Sequence, residues 1–287
     1  MSTTTSPVQA VPALRRVLVA VDGSTASVHA LAYAKAFLES ARVELLRDAS
    51  DAVSRAKAAM DRDDLVIDTE VIDLATRGGD VVNALADSAQ TWQAELLIVG
   101  ARQHHGLLGW VEGTVSGPLG KLIGCPMLIV PEGFASVAEH LPRRMLFAVD
   151  GSAIALDALR TGLTFSRVDT EFRAIYVVDR PPMLGDFVLG GALEEALIGE
   201  GIHVLQGATA IIEGTARHAQ SQLVHADRTG ADVSHLIVRD ALEWNADMIV
   251  MGTHGRRGVT GWLVGTVAGR VARITKTPVL LVHASRA

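Results

Sequence analysis

Arg15-Arg-Val-Leu-Val-Ala-Val-Asp22-Gly23-Ser24 returns 128 positions later as Arg143-Arg-Met-Leu-Phe-Ala-Val-Asp150-Gly151-Ser152. Farther along, Gly78 through Val130 superimposes without a gap on Gly230 through Val282, now with an offset of 152. That alignment pairs Asp80 with Asp232, Trp92 with Trp244, Gly100 with Gly252, Gly113-Thr114 with Gly265-Thr266 and Pro126 with Pro278. The chain is a tandem duplication, and its second copy is longer by the 24-residue difference between the two offsets. Any fold assigned to one half must be built twice. The expected domains are 13–133 and 141–287, joined by the loop from Pro131 to Pro142.

Within each copy short apolar runs alternate with helical patterns, the arrangement of parallel strands linked by crossover helices. In the second copy the spacing predicts strands at Met145–Val149, Glu171–Val178, Gln222–His225, Met248–Met251 and Val279–Val282. Helices are predicted over Ala153–Phe165, most of Ala192–Ala219, Asp232–Trp244 and from Val267 onward. The first copy follows the same plan with one exception. From Ser40 to Arg62, Val43, Leu46, Ala49 and Val53 form a helical stripe, which predicts a sheet lacking its second strand.

Gly252-Thr-His-Gly255, nine residues, then Gly265-Thr266 follows the apolar run Met248–Met251 and precedes a helix-like segment. Glycines let a backbone approach a phosphate closely, and a helix start supplies N–H donors and a positive dipole. The pattern therefore predicts a phosphate cradle in the second copy. In the first copy Gln103 stands where Gly255 would be, which predicts an empty or weakened site.

The Val-Asp-Gly-Ser strand end, the Val-Met-Gly-Thr-His-Gly segment, the nine-residue spacer before Gly-Thr and the closing Thr-Pro-Val-Leu-Leu-Val together resemble the universal stress protein family in its tandem, ATP-binding form. The resemblance covers nearly the whole chain. It implies two α/β domains of flavodoxin-like, adenine nucleotide α-hydrolase-like fold, each a parallel sheet with helices on both faces. It also implies ATP, with Mg as a candidate companion, at the carboxyl ends of the strands of the second copy. Carried over position by position, the resemblance assigns Ala148, Asp150, Val177, Met251, Gly252, His254, Gly255, Arg256, Gly265, Thr266 and Val267 to nucleotide binding. Asp150 would face ribose or adenine, the backbone at Val177 adenine, Met251 and Gly252 the ribose side, and the remainder the phosphates. Family members of one domain commonly dimerise through their last strands, and Met127–Val130 and Val279–Val282 are the equivalent segments here. The expectation is an internal pseudo-dimer, with a homodimer of chains as a further candidate.

Other residues carry blander readings. Ser152 fits a helix N-cap, and Asp150 alone would suit a turn. Asp48 falls about where Val177 aligns. His104-His105 lack metal-ligand spacing, and Cys125 before Pro126 reads as a packed thiol. Trp110 and Trp262 are packing or contact residues, and the apolar, glycine-rich stretch from Pro181 to Gly191 is either a flap or a helix entrance.

A net charge of -6 argues against a general affinity for nucleic acid or anionic lipid. No apolar run approaches the roughly 18 residues of a membrane span, and Met1–Pro12 has neither the basic start nor the apolar core of a leader. One cysteine is compatible with a reducing cytoplasm. No Walker A loop, nucleophile elbow or His-Glu-x-x-His helix occurs, so no catalytic residue is nominated. Three functional classes follow: a nucleotide-dependent stress-response or signalling module, a weak ATPase or other ATP-dependent enzyme, and an assembly module that binds no nucleotide.

Overall fold

The computed structural model describes residues 14–22, 24–34, 42–47, 66–71, 80–101, 119, 122–134, 142–178, 190–215, 217–225, 232–254 and 266–283. In the first copy these comprise β1 (Arg16–Ala20), α1 (Thr25–Ala34), β2 (Arg42–Arg47), β3 (Val66–Val71), α2 (Val81–Thr91), β4 (Leu96–Ala101) and β5 (Met127–Pro131). The second copy contributes β6 (Arg144–Ala148), α3 (Ala153–Leu163), β7 (Glu171–Val178), α4 (Gly190–Glu213), β8 (Ala219–His225), α5 (Val233–Glu243), β9 (Met248–Gly252), α6 (Thr266–Ile274) and β10 (Val279–Val282).

All ten strands form one sheet in the order β3-β2-β1-β4-β5-β10-β9-β6-β7-β8. Each copy supplies five parallel strands, and the two last strands meet antiparallel, Val279 opposite Ile129 and Leu281 opposite Met127. The halves are thus mirrored in strand order about the β5–β10 seam.

Strands buried on both faces are apolar throughout, and these are: Leu96, Leu97, Ile98, Met127, Leu128, Leu280 and Leu281 are all fully buried. One apolar layer lies beneath α1, α3 and α4, with Leu31, Leu159 and Ile212 against Val19, Phe147 and Tyr176. The opposite layer lies beneath α2, α5 and α6, with Leu85, Ile237 and Val271 against Leu97, Ile249 and Leu281. Both layers run through the seam. Tyr33 of α1 adds a polar tie between the copies, its hydroxyl donating to the carbonyl of Asp247 at 3.3 Å while its ring meets Phe134 edge-on.

Helix starts follow from local chemistry. Ser152 caps α3 by accepting from Ala155 N, while Asp80 and Asp232, partners in the repeat, cap α2 and α5 by accepting from Asn83 N and His235 N. Glu95 and Asp247 are likewise repeat partners. Each accepts from the backbone N–H groups that open its copy's first strand, Arg15 and Arg16 in one, Arg143 and Arg144 in the other.

The four-strand expectation for the first copy is corrected. Arg42–Arg47 forms β2, parallel to β1 with Val17 opposite Val43 and Ala20 opposite Leu46, and β3 continues the sheet beyond it. The stripe at Val43, Leu46, Ala49 and Val53 was compatible with a helix, but 42–47 also alternates Arg, Val, Glu and Leu. The open flank of β1 needs hydrogen-bond partners, and that tertiary demand decides between two locally acceptable states. Residues 48–65, which hold the rest of the stripe, lie outside the described residues. The long helix of the second copy is also shorter than expected, since Glu213 ends α4 and Ala219 already belongs to β8.

Candidate functional site

β6 and β9 are neighbours, with Ala148 opposite Met251. From β6 the chain continues outward to β7 and β8, then returns to β9 on the other flank. This reversal creates a topological switch point, and open α/β sheets bind ligands there, beyond the carboxyl ends of the strands. Asp150 emerges on one side of it and Gly252-Thr253-His254 on the other.

The Asp150 side is a shaped turn. Val149 N donates to Ile175 O at 3.0 Å, extending the β6–β7 ladder by one rung. Asp150 Oδ1 accepts from Ser152 N at 3.0 Å, and Gly151 between them has φ +83°, a conformation glycine adopts without penalty. The half-buried carboxylate therefore helps close the turn that launches α3. Asp22 makes the same bond to Ser24 N in the first copy, where it is exposed.

Gly252 has a packing explanation. A Cβ there would lie 2.7 Å from Ile154 Cγ2 and 3.2 Å from the Ile154 carbonyl carbon. Gly100, its repeat partner, is tighter: a Cβ would lie 2.4 Å from both the carbonyl carbon and oxygen of Ala26. In both copies this glycine lets the first helix cross the end of the fourth strand.

On the face beneath α5 and α6, buried Met251 and half-buried Ala148, Val177 and Val267 belong to a common apolar layer. Thr266 is exposed and opens α6. Ser234 Oγ donates to Val267 O at 3.4 Å, and Arg270 of α6 forms an ion pair with Asp232, so α5 and α6 are tied where both begin. Desolvation pushes the Asp232 carboxyl up, but hydrogen bonds from His235, joined by the charge of Arg270, hold it below the usual range. The sequence-predicted residues Ala148, Asp150, Val177, Met251, Gly252, His254, Thr266 and Val267 are all placed at the carboxyl ends of β6, β7 and β9 or at the start of α6. Gly255, Arg256 and Gly265 lie outside the described residues, as do Gln103 and Asp48.

Two residues not nominated from sequence stand beside His254. Thr253, 1% exposed, has Oγ1 3.1 Å from His254 Nδ1 and 3.2 Å from Nδ1 of His283, the residue after β10. Burial, reinforced by the nearby His254, pushes the His283 imidazole down to about 4. The repeat carried a signal for them, because the equivalent first-copy positions hold Ala101 and Pro131.

A cleft of about 570 Å³ lies at the opposite, amino ends of the strands, lined by Arg143, Arg144, Asp169, Glu171, Asn245 and Asp247. Arg144 Nε donates to Glu171 Oε2 at 3.2 Å, and Asp247 accepts from two backbone N–H groups. This is a structural seam, away from the switch point. Among the described residues no three His, Cys, Asp or Glu side chains group to hold a metal, and no helix is long and apolar enough to cross a membrane.

The model of the universal stress protein family matches residues 42–131 and 142–283. A universal stress protein of Methanocaldococcus jannaschii is 32% identical over half of this chain and 84% of its own length. One from Mycobacterium tuberculosis is 27% identical over 67% of this chain, the match spanning 63% of that relative. Among solved structures, a putative universal stress protein from Pseudomonas aeruginosa superimposes with a TM-score of 0.62 at 18% identity, covering 94% of both chains. A universal stress protein from Archaeoglobus fulgidus gives 0.60, also at 18% identity, over 93% of this chain and 95% of its own. At such identities the likeness speaks for the fold.

Proposed function

We propose, from the premise that this chain belongs to the universal stress protein family, that its second copy binds an adenine nucleotide, ATP, and that occupancy of this site is what the protein signals in a stress response. The observation that carries the reading is the switch point between β6 and β9, with Asp150 on one flank and Gly252-Thr253-His254 on the other. Asp150 offers a carboxylate acceptor to ribose hydroxyls, and the end of β7 at Val177 offers backbone groups to the adenine edge. Thr266 presents a hydroxyl and the first N–H groups of α6, a donor set suited to phosphate. Gly255, Arg256 and Gly265 join this set on sequence grounds.

Magnesium fits as part of the nucleotide, held mainly by phosphate oxygens, since it keeps several waters and needs few protein ligands. Thr266 and Asp150 are the oxygen donors nearest in role. The ion would neutralise phosphate charge, while the chain's own groups orient the nucleotide.

The first copy reads as the non-binding partner. Where the second copy has Thr253, His254 and Gly255 it has Ala101, Arg102 and Gln103. Calorimetric titration should therefore find one equivalent of ATP per chain. Asp150→Ala and Thr266→Ala should each weaken binding by about tenfold, the worth of a charge-assisted hydrogen bond. Two equivalent sites, or unchanged affinity in both variants, would refute the assignment.

A further inference from the structure

Thr253 Oγ1 stands between two imidazoles, 3.1 Å from His254 Nδ1 and 3.2 Å from His283 Nδ1. The hydroxyl is buried and has one proton to give. It can donate to one ring and must accept from the other if both contacts are hydrogen bonds between neutral rings. Which ring receives the proton is decided at the far side of His283. There Nε2 is buried and has no hydrogen-bond partner among the described residues. A stranded N–H is the rarer and costlier kind of orphan, so the unpartnered nitrogen is the bare one. His283 then carries its proton on Nδ1 and donates it to Thr253. The threonine proton goes to His254 Nδ1, which leaves the His254 proton on Nε2.

We propose that Thr253 and His283 are positioning residues, which lock His254 in its Nε2–H form so that the ring presents a neutral N–H donor at the carboxyl end of β9. The proposal rests on the nucleotide reading above for its purpose: the donor meets phosphate oxygen. The relay itself is a property of the ligand-free chain. Its neutrality agrees with the burial of His283, where a cation would place a second proton on the unpartnered Nε2.

The duplication supplies an internal contrast. Thr253 N donates to Val282 O at 2.9 Å, and the matching rung of the first copy pairs Ala101 with Pro131. At the three relay positions that copy has Ala101, Arg102 and Pro131, so none of its three members is present. Ala101 and Pro131 maintain the packing without the hydrogen bonds. The polar trio is therefore an addition specific to the half proposed to bind nucleotide.

The test is imidazole ¹⁵N spectroscopy of the full-length, ligand-free protein at pH 7.5, with ATP–magnesium titrated into the same samples. The wild type should show His254 protonated at Nε2 and His283 at Nδ1, each as a single tautomer. Thr253→Val, which keeps the shape and removes the hydroxyl, should release His254 into a tautomer mixture and weaken ATP by about fivefold. Thr253→Ser should restore both. A His254 already mixed in the wild type, a His283 protonated at Nε2, or rings indifferent to Thr253→Val would overturn the relay whatever ATP does. Ring protons as assigned in a protein that binds no ATP would support the relay and overturn the nucleotide reading instead.

Discussion

Replacing Gly100 or Gly252 by alanine separates a packing role from a ligand role at the crevice. A Cβ on Gly100 would lie 2.4 Å from the carbonyl of Ala26 and 2.6 Å from Ser27 N, all backbone atoms of α1. Ordinary contact requires about 3.4 Å, so α1 must retreat by about 1 Å from the strands it covers. Overpacking of this kind costs about 1–3 kcal/mol, and a helix backbone that cannot rotate aside belongs at the top of that range. At Gly252 the closest atom is the Ile154 Cγ2 methyl, 2.7 Å away, and backbone atoms begin at 3.2 Å. That obstacle is a side-chain carbon, which a small adjustment of Ile154 χ1 can shift without displacing the helix backbone, and this places the cost nearer about 1–2 kcal/mol. Alanine also restricts the unfolded chain, returning about 0.4–1 kcal/mol in each case. The net expectation is a loss of about 2–3 kcal/mol for Gly100→Ala and about 1 kcal/mol for Gly252→Ala. With an unfolding entropy of about 2.1 cal/mol/K per residue over 287 residues, these correspond to melting shifts of about 3–5 °C and about 2 °C. Circular dichroism of the ligand-free proteins during urea and thermal unfolding measures both. A Gly252→Ala protein as stable as wild type but defective toward ATP would refute the packing account of that glycine. A Gly100→Ala protein no less stable than Gly252→Ala would refute the distinction between backbone and side-chain obstacles.

Tyr33→Phe should cost about 1 kcal/mol by removing the hydroxyl bond to the Asp247 carbonyl, read as a lower urea midpoint. Burial holds the Tyr33 phenol far above its ordinary value of 10, so above about pH 10 the unfolded chain releases a proton that the native chain retains. Wild-type stability should fall between pH 10 and 11, and less so in Tyr33→Phe. His283 works at the acidic side: with its folded value near 4 against 6.5 unfolded, the unfolded state binds more protons in that window. Stability should therefore decline as pH drops from 6.5 to 4, by up to about 3 kcal/mol, and His283→Asn should flatten the profile. Arg173 pairs with Asp240 at 3.3 Å with side-chain exposures of 18% and 10%, and lies over the Trp244 ring. Burial raises the Asp240 carboxyl and Arg173 opposes it, so Arg173→Met should destabilise by about 3 kcal/mol, well beyond the effect of Arg144→Met at the exposed pair with Glu171.

The strands and the duplication were readable because both are local or repetitive signals. Glu171–Val178 and Val279–Val282 match β7 and β10 residue for residue, the first because polar and apolar residues alternate into an apolar run, the second because it is a short continuous apolar run after a proline. β2 was not readable, because six residues compatible with two states are assigned by the neighbour that needs them. Ser152 as a cap followed from residue type, whereas the reason for Gly252 required the approach of Ile154 from another element. The relay depended on knowing that β9 and β10 lie side by side, which brings His283 to Thr253 across 30 positions of chain. Arg173, Asp240 and Trp244 converge from β7 and α5 in the same way. Sequence periodicity reports which face is apolar; it does not report which polar tips meet.

The antiparallel contact of Met127–Ile129 with Val279–Leu281 has a consequence for how this molecule behaves on dilution. Two separate subunits joined at such an edge part company as their concentration falls, but here both edges hang on one polypeptide, and a tether holds its ends at an effective concentration of order millimolar. The union is therefore indifferent to how many copies a cell contains. Freed from having to find a mate, each half need only keep the short apolar edge against which its sibling leans.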